Sequence, residues 1–181
     1  IEDYVSPLFY APNVSWLVQR NGMHPRHSLM ISLNASEGNH MHANGISMEL
    51  YGKGYVLGPD AGIGLYLYSG LDYAEYYSQF PSHNTVCVDG ISSYPVMKSN
   101  HSFDLLSCFP ASSAAAAAKD KFPSVTYSDV YFREPESRAD QTRMMSIVTT
   151  GPETGYYVDI FRSRKERGGD KMHDYFYHNL G

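Results

Sequence analysis

Alternation of apolar and polar residues with a period of two is the feature that most restricts this chain. Ile46, Met48 and Leu50 alternate with Ser47, Glu49 and Tyr51, as a strand with one buried face requires. Gly52-Lys53-Gly54 then supplies a tight turn and Tyr55 to Leu57 begin a return strand, so residues 45–58 read as a hairpin. Further strand-like runs lie at Leu65 and Leu67, Thr85 to Val88, Ser102 to Cys108, Val125 to Phe132, Met144 to Val148, Tyr156 to Phe161 and Met172 to Tyr177. Gly58-Pro59-Asp60, Asp89-Gly90, Gly151-Pro152 and Gly168-Gly169-Asp170 punctuate them. Short strands with regular turns predict an all-β, antiparallel sandwich or barrel. No sustained helical period is present. The alanine-rich stretch Ser112 to Lys119 suits a short helical turn and a surface connection equally.

Nothing divides the 181 residues into two units, so residues 1–181 read as one domain with a sizeable core. The formal net charge is −5, which excludes the basic footprint of a nucleic-acid binder. No run of about 18 apolar residues occurs, so no membrane span is expected. Tyr contributes 16 residues. This favours strands and offers amphipathic ring faces to sugars. Cys87 and Cys108 could pair but do not make a disulfide scaffold; Cys87 sits in an apolar strand pattern, and the two read as buried free thiols. The chain starts at Ile1 with no signal sequence and stops at Gly181 after an aromatic run, as a piece of a longer protein would.

Chemistry-bearing residues concentrate among the eight histidines. In Gly38-Asn39-His40-Met41-His42, an extended backbone would turn both imidazoles to one side. Neutral imidazole is the commonest protein metal ligand. Asp60, between Pro59 and Ala61-Gly62, can project from a turn without crowding. Taken alone it is equally an ordinary turn aspartate. His83 opens the apolar run Thr85-Val86-Cys87-Val88 after Pro81, where a histidine can face a cleft or simply solvent.

The order HxH, hairpin, glycine-flanked Asp60 and His83-Asn84-Thr85-Val86-Cys87-Val88-Asp89-Gly90 resembles the heparinase II/III-like polysaccharide lyases, mainly over residues 34–90. Weaker echoes continue in Ala139 to Arg143, Tyr157 to Arg162 and His173 to His178. The resemblance implies an antiparallel β-sandwich of the supersandwich type, beside an N-terminal α/α toroid that is absent from this chain. It implies a zinc ion, structural in role, held by His42, Asp60 and His83, with His40 facing substrate as the sandwich's catalytic contribution. It further implies cleavage of an acidic, uronic-acid-containing polysaccharide by β-elimination, in the periplasm or outside the cell. The isolated chain would then be inactive, because the toroid carries most of the catalytic machinery. Asn44 stands where several relatives have an acidic residue. Tyr66, Tyr68, Tyr73, Tyr76 and Tyr77 can line a cleft or pack, and Arg162, Arg164, Lys165 and Arg167 can meet a polyanion or cap a solvated hairpin. Two other readings stand beside this one: a cupin-like metal protein using Glu49, and a non-catalytic carbohydrate-binding sandwich.

Overall fold

The computed structural model describes residues 5–39, 41–64, 71–92, 98–111, 122–168 and 171–180. Its main body is two antiparallel sheets. The first contains β1 (Leu8–Ala11), β2 (Trp16–Arg20), β3 (Leu29–Asn34), β5 (Ser47–Gly52) and β6 (Tyr55–Gly58), in that spatial order. The second runs β12 (Thr154–Arg164), β11 (Asp140–Gly151), β10 (Val125–Arg133), β9 (Asp104–Phe109). Two small pairs complete the described strands: β4 (Ser36–Asn39) with β8 (Lys98–His101), and β7 (Val86–Val88) with β13 (His173–Tyr175).

Side-chain alternation explains the sandwich. Leu17, Ile31, Leu33, Met48 and Leu50 point inward from the first sheet and meet Val130, Phe132, Met145 and Ile147 from the second in one buried cluster. Each such side chain contributes about 1.5–3 kcal/mol when fully buried. One inward polar residue, Gln19, joins the layers. Its amide donates to the Met145 carbonyl at 3.2 Å and accepts the Ser128 hydroxyl at 2.8 Å. A central polar group is tolerable only when satisfied in this way.

The expected hairpin over 45–58 is present as β5 and β6, paired Tyr51 with Val56 and Gly52 with Tyr55. Strands also occupy the other expected runs in the described residues, with longer bounds for β11 and β12. The first four strands were not apparent in the sequence: β1 is a run of only four residues, β2 and β3 mix apolar residues with Gln, Arg, Ser and Asn, and β4 carries no apolar side chain. A helical turn, Tyr73–Tyr77, also appears where no periodic pattern announced one. Leu65, Leu67 and the alanine-rich stretch lie outside the described residues. Both cysteines are free, Cys87 buried and Cys108 half-buried.

Candidate metal centre

Three loops meet at one end of the first sheet. Asp60 follows β6 directly. Its Oδ1 accepts the Gly62 N–H at 2.9 Å, closing a small side-chain turn. Gly62 has φ of +70°, a conformation that other residues adopt at a cost. His83 leaves the one-turn helix Phe80–Ser82 in extended geometry and is only 2% exposed. Its Nδ1 lies 2.5 Å from Asp60 Oδ2.

His42 comes from the β4–β5 connection. The Ala43 N–H donates to the Ser78 carbonyl at 2.9 Å and ties this loop to the His83 segment. Gly45 lets it sit close: a Cβ there would meet the Phe80 ring and Thr85 Oγ1 at 2.9 Å each. The His42 ring centroid is 5.3 Å from that of His83 and 5.5 Å, edge-on, from that of Tyr73. His42 does not lie in a strand, since β4 ends at Asn39. The alternation expected for the HxH pair therefore does not orient it, and His40 lies outside the described residues.

Electrostatics favour the metal-ready protonation states. Burial holds the His42 pKa below its ordinary value, nearby His83 adds to this, and Asp60 opposes it. Burial would raise the Asp60 pKa, but the His83 hydrogen bond and charge, the Gly62 N–H and His42 outweigh it and leave the carboxyl lowered. Neutral imidazole and ionised carboxylate are the forms that ligate a cation. With Nδ1 facing Asp60, His83 Nε2 is buried and has no hydrogen-bond partner among the described residues. Among the described residues no group of three or more His, Cys, Asp or Glu side chains is placed so that it could hold a metal ion. The grouping is instead an Asp60–His83 pair with His42 beside it, and its nitrogen and oxygen donors suit zinc.

Asn84 anchors this grouping. It is fully buried, donates to the Met48 carbonyl at 3.0 Å and the Pro59 carbonyl at 2.9 Å, and accepts the His178 N–H at 2.6 Å. It thereby joins β5, the Asp60 loop and the C-terminal segment. Beneath it, buried Arg143 donates to the carbonyls of Asn84 at 2.6 Å and Ile46 at 2.7 Å. Its other face makes a two-pronged pair with Asp159, at 3.0 and 2.7 Å, and meets the Tyr175 hydroxyl at 3.0 Å. These supports were not identified as such from the sequence, although Asn84 lies in its main family motif and Arg143, Asp159 and Tyr175 fall in its three weaker echoes. The only local signal was an arginine in an otherwise alternating strand.

Other candidates separate from the site. Glu49 accepts the Tyr51 hydroxyl and lines a concavity with Trp16 and Arg20, not with His42 or His83. Tyr76 and Tyr77 stack edge-on at 5.3 Å, while Tyr66 and Tyr68 lie outside the described residues. In the basic cluster, Lys165 pairs with Asp89 at 2.6 Å and Arg164 with Glu166 at 3.2 Å. Asn44 is buried and donates to Ser47 Oγ at 3.3 Å.

The sequence profile described as "Heparinase II/III-like, C-terminal" matches residues 6–158. An endo-acting ulvan lyase of Formosa agariphila is 31% identical over 150 residues, 78% of this chain and 18% of that protein. A solved heparinase III superposes with a TM-score of 0.65 at 16% identity, covering 90% of this chain and 23% of that one. The heparan sulfate lyase of Pedobacter heparinus gives 0.63 at 16% identity, covering 88% and 22%. The chain thus spans about a fifth of the length of these relatives. No helix among the described residues is long and apolar enough to cross a membrane.

Proposed function

The chain belongs to the heparinase II/III-like C-terminal family, and from that premise we propose that it is the sandwich part of a polysaccharide lyase whose three-loop junction is fastened by zinc. The observation that carries the metal assignment is the meeting of donors at the junction: His83 is 2% exposed with Nδ1 2.5 Å from Asp60 Oδ2, and the His42 ring lies 5.3 Å from that of His83. His42, Asp60 and His83 would be the ligands, leaving a fourth position for water or for another residue. The ion would supply cross-linking of three loops, each of which is otherwise tethered by a few hydrogen bonds.

The reaction proposed for the whole protein is β-elimination on a uronic-acid polymer. A base removes the proton on C5, the bond from C4 to the bridging oxygen breaks, and an unsaturated sugar remains. That proton is weakly acidic while the adjacent carboxylate is charged, so the cleft must neutralise the carboxylate as charge moves onto it. A positioned His or Tyr then carries the proton. By family resemblance His40 is the sandwich residue that touches substrate, and a preceding α/α toroid supplies the rest of the cleft. The 181-residue chain would be inactive alone, and the complete protein would act in the periplasm or outside the cell. The named substrates of its relatives, ulvan and heparan sulfate, set the range to test.

Elemental analysis of the purified chain tests the metal: one zinc per chain is expected, and none in His42→Ala or His83→Ala. Equal zinc in the variants would refute the ligand set. Ultraviolet absorbance of unsaturated products tests the reaction, with signal expected from the longer protein and none from this chain.

A further inference from the structure

The outward face of the first sheet carries a second cluster of sugar-compatible groups, built from residues other than those of the metal centre. Antiparallel register places Trp16 opposite Asn34, and Arg20 opposite Met30, which in turn faces Tyr51. Tyr51 is paired with Val56, next to Tyr55 at the hairpin turn. Two adjoining concavities share Arg20, Met30 and Tyr51. The first, of about 310 Å³, runs toward Tyr55 and His24, and the second reaches Trp16 and Glu49.

Arg20 is the unusual member. It is half-buried, and burial lowers its pKa from the ordinary arginine value. Among the described residues its Nε is buried without a hydrogen-bond partner, and its Nη1 meets only the weak acceptor Met23 Sδ, at 3.7 Å. No Asp or Glu among the described residues forms an ion pair with it. Glu49, the acidic residue lining the second concavity, accepts the Tyr51 hydroxyl. A partly desolvated guanidinium with free donors is costly unless an anion completes it, and its planar fork matches a carboxylate. Around it, Trp16 is 41% and Tyr55 72% exposed. Trp16 is steadied by its Nε1–H donating to Ser32 Oγ at 2.9 Å and by an edge contact with Phe9 at 6.0 Å. Held aromatic faces offer flat apolar area at low entropic cost.

We propose that this sheet face is a non-catalytic binding site for an acidic polysaccharide, with Arg20 taking a uronate carboxylate and Trp16 and Tyr55 supporting the flanking sugar rings. The site would hold the polymer near the cleft between cleavage events. The choice of glycan rests on the lyase reading; the site itself rests on Arg20 and its aromatic neighbours.

The test is calorimetric titration of the 181-residue chain with oligosaccharides of ulvan, heparan sulfate and alginate, each in native and carboxyl-reduced form. At least one native series should bind and its carboxyl-reduced partner should not. Arg20→Ala should weaken binding by about 10- to 100-fold, the range to which charge-assisted hydrogen bonds convert. Arg20→Lys should restore part of it, and Tyr55→Ala, at an exposed turn, should weaken it several-fold without lowering the unfolding temperature. Absence of binding in every native series, equal binding after carboxyl reduction, or indifference to both Arg20→Ala and Tyr55→Ala would overturn the site. Cleavage by the longer protein is scored separately: unsaturated product without binding here removes this site alone, and binding here without product removes the lyase reading alone.

Discussion

Arg143 and His83 are both almost wholly buried, yet their polar atoms are treated differently. Arg143 is satisfied on every side, by Asp159, the Tyr175 hydroxyl and the carbonyls of Ile46 and Asn84. It also lies 5.2 Å from the Phe161 ring centroid and 5.8 Å from that of Tyr175. His83 is satisfied on one nitrogen and, among the described residues, open on the other. A buried group whose partners are all protein is part of the scaffold. One left open has no protein partner among the described residues to offset its burial. The two are adjacent, joined through Asn84, so the scaffold region sets the position of the open one.

The contrast breaks most visibly at Arg143. Arg143→Ala leaves Asp159 with only the Tyr175 hydroxyl among these partners and unpairs two buried carbonyls, and should cost about 3–5 kcal/mol in denaturant unfolding, the range for removing one partner of a buried ion pair. A loss under 1 kcal/mol would mean that the knot is not structural. At His83 the effect should depend on metal. Zinc at about a thousand times its dissociation constant stabilises by about 4 kcal/mol, so chelation should lower the unfolding midpoint of the wild type and leave that of His83→Ala unchanged. Asn84→Ala, between the two regions, should cost about 1–3 kcal/mol through unpaired carbonyls and also reduce zinc content. Stability loss with full zinc occupancy would uncouple scaffold from site.

The smallest expected effect is on pH dependence, measured in chelator. Both His42 and Asp60 have lowered pKa values when folded. A lowered folded pKa means that the unfolded chain binds the extra proton first, so stability is complete above the unfolded pKa and is lost as pH falls through the folded one. The loss should begin below about 6.5 for His42 and continue below about 3.9 for Asp60. His42→Ala should remove only the upper part. A midpoint that rises on acidification would contradict the assigned shifts.

Much of this was legible locally. Period two and turn residues announced the β-class and the hairpin of β5 and β6, because strand geometry writes itself into neighbouring residues. His83, Asp60 and His42 stood out because the spacing of the motif resembles a known family, and the fold brings all three to one junction. The early strands were hidden by polar residues such as Gln19 and Ser32, whose partners, Met145, Ser128 and Trp16, lie on other strands.

The sequence by itself determined that the chain is a β-sandwich of the lyase family, and which histidines and which aspartate to inspect. Only the tertiary structure decided that Arg143, Asp159 and Tyr175 form one knot under Asn84, that His83 has an open nitrogen, and that Arg20 has no counter-charge among the described residues. The reason is physical. Alternation and turns are short-range and readable in the chain. The partner of a buried charge is chosen by long-range register, as when Asn84 meets His178 from the far end of the chain.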